Sequence, residues 1–152
     1  MTSGKIIDVG TGPGYLPFEI AKRSQSLEII GIDISSKMVE IANKNAENFG
    51  LSERVKFQIG DVANLPFEDK SFEFVVSTLS FHHWSKPRES LNETHLVLKE
   101  NGEAWIYGAR EDTTKEVNEE FRKQYGWFLS FLFLHIVRAH SSVKLKEVEE
   151  IL

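Results

Sequence analysis

Ile6-Ile7-Asp8-Val9-Gly10-Thr11-Gly12-Pro13-Gly14 is the stretch on which the fold turns. It opens as a short β-branched run that reads as a buried strand. It closes as a glycine-rich turn, and helical spacing follows with Leu16, Ile20 and Ala21 on one face. Pro17 fits that helix only in the first turn, where its missing N–H costs nothing. Glycines at such a turn let the backbone bend sharply and let a ligand lie against it, because no Cβ intervenes. The helix N-terminus beyond offers N–H groups to a carboxylate or phosphate.

Outward from this turn, strand and helix signals alternate. Glu28 to Asp33 reads as a second strand, and Ser35 or Ser36 caps a helix with Met38, Ile41, Ala42 and Phe49 as its apolar stripe. Gly50 ends it in the left-handed position, with Leu51 packing back. Val55 to Ile59 and Phe72 to Ser77 read as strands three and four. Pro87 opens a helix carrying Leu91, Val97 and Leu98, and Asn101-Gly102 turns the chain into a fifth strand, Glu103 to Tyr107. Parallel neighbours need crossover helices, so the expectation is an α/β, doubly wound, mostly parallel sheet with helices on both faces.

Composition narrows the function classes. The 152 residues carry a net charge of -5 and no run of basic side chains, which argues against a nucleic-acid surface. Zero cysteines exclude a thiol nucleophile and any Cys-ligated metal, and they suit a reducing, cytoplasmic setting. His95, His135 and His140 have no metal-ligand spacing, so no metal site is expected. The longest apolar run, residues 127–137, is too short to span a bilayer. No signal peptide is visible, and a soluble protein is expected.

The dinucleotide fingerprint G-x-G-x-x-G would place Tyr15 at its third glycine. The spacing present is G-x-G-x-G preceded by an acid, and it resembles the first motif of class I, Rossmann-like, S-adenosylmethionine-dependent methyltransferases. Four more segments are similar to that family in the right order. Gly31-Ile32-Asp33-Ile34-Ser35 resembles its second strand, whose terminal acid holds both ribose hydroxyls. On the residues alone, Asp33 also reads as a helix cap. Gly60-Asp61-Val62, followed by Leu65-Pro66-Phe67, resembles the adenine-binding stretch. Phe72 to Ser77 resembles the fourth strand, which ends beside the reacting methyl group. Leu98-Lys99-Glu100-Asn101-Gly102 is similar to the L-K-P-G-G turn of the ubiquinone/menaquinone-biosynthesis type.

The resemblance covers residues 5–107 and implies strand order 3-2-1-4-5. It also implies S-adenosyl-L-methionine held by Asp8, Gly10, Gly12, Gly14, Tyr15, Asp33, Ile34, Met38, Asp61, Val62 and Ser77. Ile34 and Met38 would flank the base, and the acids would favour a cationic cofactor. The acceptor is expected to be a small, apolar molecule. His82 and His83 follow the fourth strand and are candidates for an active-site wall or a base.

After Tyr107 the pattern changes. Thr113 and Glu116 have capping-box spacing, with Val117, Phe121, Tyr125 and Phe128 on one face. From Trp127 to Val137 the apolar residues cover every side of the helix, which points to a lid, a homodimer contact, or both, with core packing under further C-terminal strands an equal alternative. The β-hairpin that completes the family's sheet has no counterpart here, and the last residues, Glu149 to Leu152, read as part of the helix before it, so a clipped or partly ordered form is expected. The organisation expected is a binding core, residues 1–110, and a helical segment, 111–152, within a single domain. Two alternatives stand beside methyl transfer: an S-adenosylmethionine-binding subunit without catalysis, and a nicotinamide-dependent oxidoreductase.

Overall fold

The computed structural model describes residues 3–110, 115–125 and 142–143. Five strands form one sheet: β1 (Gly4–Val9), β2 (Leu27–Asp33), β3 (Val55–Ile59), β4 (Phe72–Thr78) and β5 (Leu98–Tyr107). Their order is β3-β2-β1-β4-β5, as expected, and β1 pairs in parallel with both β2 and β4 while β2 pairs in parallel with β3. Helices α1 (Tyr15–Arg23), α2 (Ser36–Asn48) and α3 (Pro87–Val97) make the crossovers.

Side chains alternate across a strand, and β1 shows how that divides the core. Ile6 joins Phe18 and Ala21 of α1 and Val39, Ala42 and Ala46 of α2 in one cluster. Its neighbour Ile7 faces the other way and joins Phe72, Val75 and Val97 in a second cluster, on the α3 side. Burying each such side chain is worth about 1.5–3 kcal/mol, so both faces of the sheet must be covered.

Local rules place the helix ends. Pro17 is the third residue of α1 and is buried. Ser35 caps α2 by accepting from Met38 N. At the far end Gly50 adopts φ 65°, and its N–H and that of Leu51 reach back to the Glu47 and Ala46 carbonyls, a Schellman closure. The buried face of α2 is Val39, Ala42 and Ala46. Of the expected stripe, Ala42 is buried and Ile41 half-buried, whereas Met38 and Phe49 are exposed and Val39 and Ala46 complete the buried face. Asn101, with φ 66°, makes the bend expected at Asn101-Gly102, inside β5.

Residues 1–106 and 107–152 form two compact units. The second contains α4 (Lys115–Tyr125) and a parallel pair of two-residue strands, β6 (Ala109–Arg110) and β7 (Ser142–Val143). That pair was not anticipated, because two residues give no alternating pattern to read. The apolar run 127–137 lies outside the described residues. No helix among the described residues is long and apolar enough to cross a membrane.

Candidate functional site

All four loops that follow β1 to β4 meet at one end of the sheet, where ligands of open α/β sheets bind. They enclose a cavity of about 400 Å³ lined by Val9, Gly10 and Gly12, by Ile32 to Ser35, by Gly60 to Val62, and by Leu79, Ser80, His83, Trp84 and Ser85. Such a volume suits a small organic ligand. The lining includes two carboxylates, Asp33 and Asp61, and neither lysine nor arginine.

The glycine loop is stitched to β2 rather than left open. Gly10 N and Thr11 N both donate to Ile32 O at 2.9 Å, and Gly12 N donates to Asp33 Oδ2 at 2.9 Å. The other Asp33 oxygen accepts from Ser35 N at 2.9 Å. Asp33 therefore braces two turns and also lines the cavity, while the cap of α2 is Ser35 rather than Asp33. Gly12 has φ 54° and no neighbour within 4 Å of a Cβ built there, so its missing side chain leaves open space. Gly14 answers a different need. With φ 86° it precedes α1, and a Cβ there would lie 2.6 Å from Phe57 Cζ. Its role is to let helix and sheet pack closely.

Asp8 is 1% exposed. Its Oδ2 accepts from Thr11 Oγ1 at 2.7 Å, and its Oδ1 is buried without a hydrogen-bond partner among the described residues. Burial, opposed by the Thr11 hydroxyl and reinforced by the nearby Asp33 charge, pushes its pKa up to about 7. The local negative field thus rests on Asp33 and Asp61 more than on Asp8. Asp61 is exposed, and its Oδ1 accepts from Ala63 N at 2.9 Å.

The residues expected to bind cofactor fall into two sets. Gly10, Gly12, Asp33, Ile34, Asp61 and Val62 line the cavity, and His83 joins them. Asp8, Gly14, Tyr15, Met38 and Ser77 are not in the lining. Tyr15 is 65% exposed, whereas Ser77 is fully buried and bonds to Ser80 Oγ at 2.6 Å. His82 is also outside the lining, its ring 3.8 Å from that of His83. Tyr15 and Leu16, whose N–H groups open α1 and were expected to serve an anion, do not line the cavity.

Sequence reasoning missed the wall made by Leu79 and Ser80. Leu79 has φ 54°, a conformation rare for a branched residue and costing roughly 1–2 kcal/mol. No residue type at position 79 or 80 signals it. Trp84 adjoins the histidine pair expected to form a wall, and it lines the cavity beside His83.

Comparison with known proteins fits this geometry. The methyltransferase-domain family matches residues 2–148. The chain belongs to that family. It is 36% identical over 111 residues to the demethylmenaquinone methyltransferase of Thermotoga maritima, covering 73% of this chain and 46% of that protein. It therefore spans about half the length of that relative. Among solved structures, it resembles an S-adenosyl-L-methionine-dependent methyltransferase from Methanococcus maripaludis, with TM-score 0.76 and 29% identity over 99% of this chain and 66% of that one. It also resembles the 4+2 cyclase SpnF, with TM-score 0.67 and 31% identity over 69% of this chain and 38% of that one. S-adenosylmethionine is the cofactor of this class I methyltransferase family.

The residues present fit that cofactor. Open space above Gly12 accommodates a ligand against the backbone. Two acids without a basic partner in the lining favour a ligand that carries a sulfonium and an ammonium over one that carries a pyrophosphate.

Proposed function

We propose that this chain forms the cofactor-binding core of an enzyme that moves a methyl group from S-adenosylmethionine to a small, apolar acceptor. The supporting observation is the cavity itself, with an open glycine at its floor and acids but no lysine or arginine in its lining. Asp33 would hold the ribose hydroxyls: each carboxylate oxygen keeps a lone pair beyond the one given to Gly12 N or Ser35 N. Asp61 would accept from the adenine amino group, with Val62 N–H reaching a ring nitrogen and Ile34 against the base. Met38, Tyr15, Gly14, Asp8 and Ser77 would act from behind, by shaping the elements that carry the lining.

The sulfonium supplies an already activated methyl group. What the protein must add is orientation, an effect that reaches ~7–11 kcal/mol in favourable cases. Leu79, His83 and Trp84 form the wall on the β4 side, where an acceptor would sit. His83 reads first as wall. An imidazole there also serves as a base for an acceptor that arrives protonated.

Calorimetric titration with S-adenosylhomocysteine and with NAD tests the reading. Binding of the first and not the second supports it, while NAD binding would favour an oxidoreductase. A second reading is a protein of this fold that binds the cofactor without transferring its methyl group. The likeness to a structure whose name is that of a cyclase favours keeping it. Tight S-adenosylhomocysteine binding with no labelled methyl passed to any quinol, phenol or fatty-acid acceptor would select it.

The enzyme would work as a homodimer, which the oligomeric state in solution tests. The absence of cysteine goes with a cytoplasmic location.

A further inference from the structure

Ser80 spends every hydrogen-bonding capacity that a hydroxyl has. It donates to Val9 O at 3.1 Å, accepts from Trp84 Nε1 at 3.2 Å, and lies 2.6 Å from Ser77 Oγ. A hydroxyl has one hydrogen. With that hydrogen given to Val9, Ser77 must be the donor in the shortest of the three bonds.

The three partners lie in three different parts of the site. Val9 O belongs to the peptide that enters the glycine loop. Ser77 is the last residue but one of β4. Trp84 lines the cavity beside His83 and packs on Phe81, ring to ring, at 4.9 Å. The seat is tight, since a Cβ on Gly10 would fall onto the Ser80 Cβ and Oγ. That contact, with the Gly10 φ of 72°, is a reason for glycine at position 10 that has no ligand in it. Immediately before Ser80, Leu79 is held at φ 54°. Strain of that kind persists where surrounding bonds over-determine it, and the three Ser80 bonds do so here.

We propose that Ser80 is a positioning residue, whose hydroxyl fixes the β4-side wall, His83 and Trp84, against the glycine loop and so sets how an acceptor meets the cofactor. The proposal rests on the cofactor reading of this cavity. Ser80 acts through the Val9 carbonyl and the Trp84 indole.

The test uses the whole chain, with Trp105→Phe and Trp127→Phe so that Trp84 emission is read alone. In ligand-free protein, Ser80→Ala should move that emission to longer wavelength as the indole N–H is released to water. S-adenosylhomocysteine should bind about tenfold more weakly, the usual scale for losing such bonds. Ser80→Cys, which keeps a weak donor and acceptor in place, should fall between parent and alanine in both readings. Ser80→Ala and Trp84→Phe should cost less together than the sum of their separate effects on binding. Unchanged emission and unchanged affinity in Ser80→Ala would overturn the proposal, and so would strict additivity in the cycle. Should Ser80→Ala fail to fold, Ser80→Cys decides by the same two readings. A parent that does not bind S-adenosylhomocysteine would overturn the cofactor reading, and the emission series would still decide the role of Ser80.

Discussion

The two walls of the cavity are built by different means. On the β1–β2 side the loop turns on glycines, and its N–H groups are taken up by Ile32 O and the Asp33 carboxylate. On the β4 side no glycine is used: a leucine takes the left-handed conformation, and a serine hydroxyl ties the turn to its neighbours. The first wall carries its conformational requirement in its residue types. The second carries it in side-chain bonds, two of them local and one reaching back to Val9. A wall of the first kind is preorganised by local sequence and fits one cofactor. A wall of the second kind can change its other side chains while the tethering groups persist, which would suit the side proposed to meet the acceptor.

The sharpest way to break this comparison is at the glycines. Gly12→Val should abolish S-adenosylhomocysteine binding, a loss of more than about a hundredfold, because the side chain fills open space on the ligand side and strains a positive φ. Gly14→Val sits two residues away and should act through stability instead. Its Cβ meets Phe57 and Phe18, and overpacking of that kind costs about 1–3 kcal/mol. Calorimetry and thermal melts on both variants separate the two effects. If Gly12→Val binds normally, the open space is not where the cofactor lies.

Asp8 gives the next largest effect. Its folded pKa of about 7 stands above the ordinary 3.8, so across that interval the folded chain holds a proton the unfolded chain has released. Stability contributed by this group therefore falls as pH rises from about 4 to about 7 and is level above, with a slope of at most about 1.4 kcal/mol per pH unit. Urea unfolding of the parent from pH 4.5 to 8 should show that decline, and Asp8→Asn should lack it. The slope is the reading, because a buried amide also changes the absolute stability. Equal slopes in both proteins would mean that Asp8 ionises normally.

These two tests also mark how far the sequence could be read. The capping at Ser35 and Gly50 was legible because local chemistry decides it, whereas the strand order came with the family resemblance. The gathering of Gly12, Asp33 and Asp61 was implied by that resemblance, and it follows physically from three parallel strands ending on the same side of the sheet. What could not be read was which way a side chain on the motif points. Asp8 and Asp33 both look like acids beside a glycine turn. Alternation along β1 sends Asp8 into the core with Ile6, while Asp33 ends its strand and reaches the cavity. The Leu79–Ser80 turn was illegible for another reason, since neither residue type signals a left-handed turn and the bond that ties it to the glycine loop spans 71 residues.

Asp33→Ala tests whether the two uses of that carboxylate separate. Losing a charge-assisted contact to the ribose should cost about 1.5–3 kcal/mol, roughly ten- to a hundredfold in affinity. The Gly12 and Ser35 N–H groups lose their acceptor in the same variant, so a lower melting temperature should accompany weaker binding. A drop in melting temperature with unchanged affinity would leave Asp33 as a brace alone.

Asp61→Ala should show the smallest effect, and the reasons are on either side of the carboxylate. One oxygen is already committed to Ala63 N, within a turn that also bridges Asp61 to Asn64. The group is exposed, so a hydrogen bond from the adenine amino group forms in competition with water and nets about 1 kcal/mol. Affinity for S-adenosylhomocysteine should fall about fivefold, with little change in melting temperature, since water can take over the Ala63 N–H. S-inosylhomocysteine, which carries a carbonyl where adenine has its amino group, supplies the second arm. If Asp61 reads the amino group, the parent should prefer the adenine compound and Asp61→Ala should lose most of that preference. An undiminished preference in the variant would move adenine recognition away from Asp61 and onto the backbone of Val62.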